Sequence, residues 1–125
     1  MTVEKASLHT FAITRFRDGD TAEGYLTCRC CGSARLDVLR ILKVESWEIN
    51  SADKAKALAT AERLTCEYRG QSGILIPANI RRDRYGRILG DIIFGNSALS
   101  LQLVTSGAAW WGVGEPEPEG VPFIV

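Results

Sequence analysis

Between residues 36 and 45 the chain carries apolar side chains at Leu36, Val38, Leu39, Ile41, Leu42 and Val44. Both parities of an extended segment are therefore apolar. Such a strand must be covered on both faces, and it reads as a central one. Arg40 interrupts the run with a charge. A guanidinium in that setting needs a structural partner or a task, because an unpaired buried charge is costly. Phosphate binding and pairing within the protein are both open at this point.

Extended segments flank this one. Residues 8–17 are rich in β-formers (Thr10, Phe11, Ile13, Thr14, Phe16) and end at the turn signal Asp18-Gly19. Residues 21–31 continue as a second strand up to a turn at Gly32-Ser33. Strand, turn, strand, turn, strand predicts an antiparallel meander. Helical spacing follows, with Ser51 as N-cap, Asp53 in the first turn and a helix running to about Arg63. Its expected inner stripe is Ala55, Leu58, Ala59 and Glu62. Residues 64–69 alternate like a strand, and residues 74–77 read as a short edge strand because Pro77 cannot donate to a ladder. A strand is expected over residues 88–94, closed by Gly95-Asn96. Ser97 then caps a short helix bearing Leu99, Leu101, Leu103 and Val104, with Gly107 at its C′ position. The Glu/Pro-rich end predicts an extended, solvated tail.

The resulting fold class is α+β and mainly β: a five-stranded OB-fold barrel (oligonucleotide/oligosaccharide-binding) with one inserted helix and a short C-terminal helix. Residues 1–112 form the domain and residues 113–125 the tail. A chain of 125 residues suits one domain, and 46% hydrophobic with 24% charged residues is a globular composition. No apolar run approaches the roughly 20 residues that span a bilayer. The first residues lead into no apolar stretch of the kind a secretory leader carries, so the expected location is cytoplasmic, with no membrane partner. Oligomeric state leaves no trace in the sequence.

Net charge is zero, but its distribution is uneven. All 15 Lys and Arg precede residue 88, while Glu115, Glu117 and Glu119 fall in the tail. Twelve acids set against 15 bases leave residues 1–114 at +3. Arg81, Arg82, Arg84 and Arg87 share one short segment with only Asp83 opposing them. Such a patch could hold a nucleic-acid strand locally, not by bulk charge. The single histidine, His9, is given no catalytic role. Cys28, Cys30, Cys31 and Cys66 could supply four thiolates to zinc, but their spacing lacks the two-residue separation of paired ligands. Reduced packing thiols are the favoured reading, with disulfides also open.

Three short motifs carry chemistry when taken in order: Asp18-Gly19-Asp20-Thr21, residues 40–48, and Asp83-Arg84-Tyr85-Gly86-Arg87. Together they supply carboxylates able to share a hard cation, another carboxylate able to act as a base, and two arginines. That set suits hydrolysis of a phosphodiester.

With these motifs the chain resembles the staphylococcal nuclease (thermonuclease-like) family from about Phe11 to Trp111. That family has Asp-Gly-Asp-Thr at the end of a strand, here residues 18–21. A strand reading Arg-Leu-x-Gly-Ile-Asp-x-Pro-Glu follows, here residues 40–48 in altered form. Asp-x-Tyr-Gly-Arg-x-Leu matches residues 83–89, and Gly-x-Ala matches residues 107–109. The resemblance implies that Asp20 is the first carboxylate ligand of a Ca²⁺ ion, with the Thr21 carbonyl also ligating. Glu45 stands at the second Asp ligand, and Glu48 at the glutamate that orients or deprotonates water. Arg40 and Arg87 stand at the phosphate-binding arginines. Tyr85 and Arg84 would contact substrate, and Trp47, replacing the usual Pro, could stack on a base. The implied activity is a Ca²⁺-dependent phosphodiesterase acting on DNA and RNA, preferring single strands. Asp→Glu at position 45 adds one methylene to a ligand. It keeps open a degenerate module of the same fold that binds nucleic acid or protein without cleavage. A zinc-stabilised interaction domain is the third reading.

Overall fold

In the computed structural model, residues 9–112 and 116–123 are described. Strand β1 (His9–Asp18) turns Phe11, Ile13 and Phe16 inward. The change of parity after Ile13 coincides with register shifts against β2 (Thr21–Cys28) at Ile13/Arg15 and Phe16/Asp18. Bulges of this kind re-aim side chains and bend the strand, which a small closed sheet requires. β2 pairs antiparallel with β3 (Ala34–Ile41), setting Thr21 opposite Arg40.

The apolar run of residues 36–45 is two strands, not one. β3 stops at Ile41, Lys43 takes a left-handed conformation at φ 69°, and β4 (Val44–Glu45) leaves the barrel. β4 pairs with β8 (Trp110–Trp111) in a separate ribbon. The Arg40 guanidinium holds this reversal: Nη1 donates to the carbonyls of Ile41 and Val44, the latter at 3.0 Å.

Helix α1 (Lys54–Tyr68) is longer than expected and presents another face. Residues 64–69 continue the helix to Tyr68 and form no strand. The buried side chains are Ala57, Thr60, Ala61, Leu64 and Tyr68, and Leu58 of the expected stripe is exposed. The last turn decides the face, because it adds the two largest side chains on that stripe. Tyr68 packs against Phe16 and Phe94, and its hydroxyl donates to Gln102 Oε1 at 2.7 Å. The N-cap is Asp53, and the Ser51 hydroxyl instead donates to the Glu48 carbonyl at 2.7 Å.

After α1, β5 (Ser72–Pro77) pairs with β1 on one side and β6 (Ile88–Phe94) on the other. It is an interior strand. Pro77 is accommodated because it ends the strand, and the ladder passes on through Ala78 N–H to the Leu89 carbonyl at 2.9 Å. β6 returns to β3 in parallel, Arg40 facing Leu89. The pairing is not wholly antiparallel because the chain between β3 and β6, which includes α1, makes the long crossover that parallel strands need. β7 (Ser97–Ala98) turns back antiparallel onto the end of β6, so Ser97 is a strand residue and Ala98 caps α2 (Leu99–Thr105). Gly107, at φ 80°, follows the Ser106 C-cap as expected.

The order β3-β2-β1-β5-β6, closed by β6 on β3, is a five-stranded barrel, with two helices among the described residues. Five strands in this arrangement make the OB-fold barrel. Phe11, Leu39, Leu64, Leu75 and Ile92 are fully enclosed within it. Each such side chain contributes about 1.5–3 kcal/mol by leaving water. Residues 116–123 of the Glu/Pro end are extended and pinned to the barrel, while the rest of the expected tail lies outside the described residues. Arg82 N–H donates to the Val121 carbonyl at 2.9 Å, Phe123 N–H to Ile80 at 2.9 Å, and the Phe123 ring is buried.

One ion pair ties the barrel wall to the loop before β6. Arg82 meets Asp37 of β3 in a two-pronged contact at 2.6 and 2.8 Å. Burial works against the Asp37 charge, but Arg82 outweighs it and holds the carboxyl below its usual range. A depressed folded-state pKa contributes stability above about pH 4 and loses it as the pH falls below that value. Asp37→Ala should therefore lower the unfolding free energy by about 2–3 kcal/mol at pH 7. In urea titrations the deficit should shrink below pH 4; a deficit independent of pH would show that the pair is not its source.

Candidate active site

The mouth of the barrel forms where β2 begins, β3 ends and the loop before β6 crosses. Gly19 allows the closest approach there. A Cβ on it would fall 2.6 Å from Ser46 Cβ and 2.8 Å from the Ala108 carbonyl oxygen. Only a bare backbone lets the turn at residues 18–21 sit against the segment that carries Glu45 and Glu48. That is the physical content of glycine in the Asp-Gly-Asp motif.

Asp20, Thr21 and Arg40 line the floor of a cleft of about 600 Å³, Glu45 and Glu48 its rim, and Tyr85 and Arg87 the far side. The Thr21 hydroxyl donates to Asp20 Oδ1 at 2.9 Å and orients that carboxylate. Arg40 Nη2 lies 3.5 Å from Asp20 Oδ2 and 3.5 Å from Glu45 Oε1. Its two nitrogens thus divide their work: Nη1 closes the β3–β4 turn, and Nη2 faces the cleft. The structural pairing that the sequence left open is met by Nη1, while Nη2 stands between the two carboxylates of the cleft.

The extra methylene of Glu45 has its space made by Gly112, where a Cβ would lie 2.2 Å from Glu45 Cγ. β8 brings Gly112 there, and Gly112 N–H donates to the Lys43 carbonyl at 2.9 Å.

Two of the proposed contact residues lie elsewhere. Trp47 does not line this cleft; it packs edge-on against Trp110, centroids 5.3 Å apart, with Lys56 Nζ over its ring. Arg84 lines the neighbouring cavity and stands 4.9 Å from the Tyr85 ring centroid.

Sequence reasoning passed over Asp83. This carboxyl is buried: Oδ2 accepts Arg87 Nε at 2.7 Å, and Oδ1 accepts the backbone N–H groups of Tyr85 and Arg87, each at 2.9 Å. Asp83 knots the loop and aims Arg87 at Thr21, whose Oγ1 is 3.4 Å from Arg87 Nη1. An acid four residues before a functional arginine in a short loop was the available signal. Arg17 and Pro116 also reach the cleft.

Burial pushes the Asp20 carboxyl up to about 7, with Asp18 adding to the effect and Arg40 opposing it. Two neighbouring acids, Asp18 and Asp20, face the one guanidinium of Arg40 there. Carboxylate oxygens are hard donors of the kind a hard divalent cation takes. Among the described residues no three acidic, histidine or cysteine groups converge on one point. The side chains would thus provide two carboxylates, leaving the rest of an oxygen shell to carbonyls and water. The same observation leaves no zinc cage. Cys28, Cys30 and Cys31 lie at the β2–β3 hairpin and Cys66 on α1.

A family model described as staphylococcal nuclease homologue matches residues 39–119. The chain belongs to the staphylococcal nuclease homologue family. The matched span includes Arg40, Glu45, Glu48, Tyr85 and Arg87 and continues past the compositional boundary at residue 112. Asp20 and Thr21 precede it, so their place in the cleft rests on the β2–β3 register. No curated protein matches the chain. Among the described residues, no helix is long and apolar enough to cross a membrane.

A carboxyl whose folded-state pKa is raised destabilises the metal-free protein once ionised. The loss sets in as the pH climbs from about 4 and is complete above about 7. With a chelator present, Asp20→Asn should raise the unfolding free energy at pH 8 by about 1–3 kcal/mol and leave it unchanged at pH 4. Thermal denaturation at the two pH values reads this directly.

Proposed function

We propose that this chain is a Ca²⁺-dependent phosphodiesterase that hydrolyses DNA and RNA and prefers single strands. The observation that carries this reading is the convergence of Asp20, Glu45, Glu48, Arg40 and Arg87 on one cleft. A bound Ca²⁺, held by Asp20 and Glu45 with the Thr21 carbonyl, would supply positive charge at the reacting phosphate and a template for water.

The chain's own residues do the rest. The phosphodiester enters between Arg40 Nη2 and Arg87, which meet its non-bridging oxygens. The Glu48 carboxylate takes a proton from a water, whose oxygen forms a bond to phosphorus. Negative charge gathers on the five-coordinate phosphorus group, and the two guanidiniums are already in place for it. The P–O bond to the leaving sugar oxygen then breaks, that oxygen takes up a proton from solvent, and Glu48 gives its own proton back to solvent. The exposed Tyr85 ring, flanked by Arg84 and Arg87, supports an unpaired base, which favours single strands.

Purified protein should degrade heat-denatured DNA with calcium and not with a chelator. Glu48→Gln and Arg87→Ala should each lower the rate by roughly 100-fold or more. A folded protein that cleaves nothing with calcium, manganese or magnesium would point to a binding module instead.

The Gly112 recess is shaped for the longer acid at position 45. Glu45→Asp should therefore weaken calcium binding, by about tenfold for a ligand displaced by a methylene. Calcium titration followed by calorimetry measures it, and unchanged or tighter binding would remove the role given to Gly112.

A further inference from the structure

The Glu/Pro segment lies where a nucleic-acid strand would continue. Pro116 borders the catalytic cleft. A second cavity of about 320 Å³ shares Tyr85, Arg87 and Pro116 with it and is lined further by Asp83, Arg84, Glu117 and Glu119. Both glutamates are exposed, while Pro116 and Pro118 are half-buried. Among the described residues no ion pair joins either glutamate to Arg84 or Arg87. The strap is anchored just beyond its acids. Gly120 N–H donates to the Arg82 carbonyl at 2.6 Å, and Arg81 Nε to the Gly120 carbonyl at 3.0 Å. Arg35 Nη2 donates to the Phe123 carbonyl at 2.5 Å, above the buried Phe123 ring.

A strand bound at Arg87 and passing Tyr85 would bring its next phosphate into this second cavity. There it meets Arg84, but also two carboxylates well within a screening length of about 10 Å at 0.1 M salt. A strand end or a short oligonucleotide puts no phosphate there and escapes the repulsion.

Resting on the nuclease reading, we infer that Glu117 and Glu119 are specificity-determining residues. They keep the phosphate chain of a long polynucleotide off the Arg84 side of the cleft, so the site prefers strand ends and short oligonucleotides to the interior of long strands.

The test compares the parent protein with a Glu117→Gln/Glu119→Gln variant. Neither position is in the catalytic machinery, and thermal melting confirms that each protein is folded. In chelator, where nothing is cut, fluorescence anisotropy measures binding of a 5′-phosphorylated dinucleotide and of a 20-nucleotide single strand. The variant should bind the 20-mer about three- to tenfold more tightly at 50 mM salt, with the gain fading at 300 mM. Its salt dependence should steepen by roughly 0.7 in slope for each further phosphate engaged. Dinucleotide binding should not change. With calcium, cleavage of circular single-stranded DNA, which has no ends, should rise by a similar factor while cleavage of a short linear oligonucleotide stays level. A Glu117→Asp/Glu119→Asp variant should behave as the parent. Equal gains on short and long strands, or no gain on either, overturn the inference. If the parent cleaves and the neutral variant matches it throughout, this inference alone fails. If neither protein binds or cleaves any strand, the nuclease reading fails and takes the inference with it.

Discussion

Arg40 is the constraint around which the barrel mouth is arranged. Its side chain is almost fully enclosed in a wall otherwise made of apolar residues. A charge there stays only if its surroundings satisfy it. Two carbonyls of the β3–β4 turn satisfy one nitrogen, which is why the chain can reverse at Lys43 and send Glu45 out of the barrel. The other nitrogen stands at 3.5 Å from each of two carboxylates, too far for strong hydrogen bonds. Each nitrogen therefore has partners, and the partners of Nη2 are the longer contacts. The enclosed apolar core, at about 1.5–3 kcal/mol per large side chain, is what lets the fold carry this cost.

The second arginine depends on the first strand of the same wall. Arg87 is aimed by Asp83, and the loop bearing both is fastened to β3 by the Arg82–Asp37 contact. β3 therefore supplies Arg40 directly and fixes Arg87 through a chain of two ion pairs. β6, which follows the loop, closes on β3 in parallel and sets the distance between them. Preorganisation of this kind matters because donors already in place need no rearrangement when charge develops. It also explains a buried acid in a loop that is otherwise basic.

Much of this was legible along the chain, and what was not has definite causes. The strands β1 and β2, the strand at residues 88–94 and the C′ glycine at 107 follow from local rules that nothing overrides. The cleft residues were legible because three motifs had to meet somewhere. The extent of α1 was not, since Leu64 and Tyr68 suit strand alternation as well as the i, i+4 spacing of a helix; only packing on Phe16 and Phe94 separates the two. Pro77 argued for an edge, yet a proline at a strand's last position removes no ladder bond that matters. The parallel closure of β6 on β3 is a long-range pairing that no window of sequence contains. Nothing near Trp47 in the sequence announces its ring partner, because Trp110 lies 63 positions away in the chain and meets it through the β4–β8 ribbon.

The zero net charge is best understood by position. A nucleic-acid enzyme working through bulk charge would carry an excess of bases over its whole surface. Here three of the 15 acids fall at the end of the chain, and two of them, Glu117 and Glu119, line a cavity together with Arg84 and Arg87. The long-range field is then reduced while the two guanidiniums in the cleft keep their short-range reach, since a charge-assisted contact at hydrogen-bond distance outweighs a carboxylate several ångströms farther off. Affinity would come from contacts at the scissile phosphate rather than from a basic track. A protein arranged in this way discriminates by where a phosphate sits along the cleft and not by how many phosphates the ligand carries.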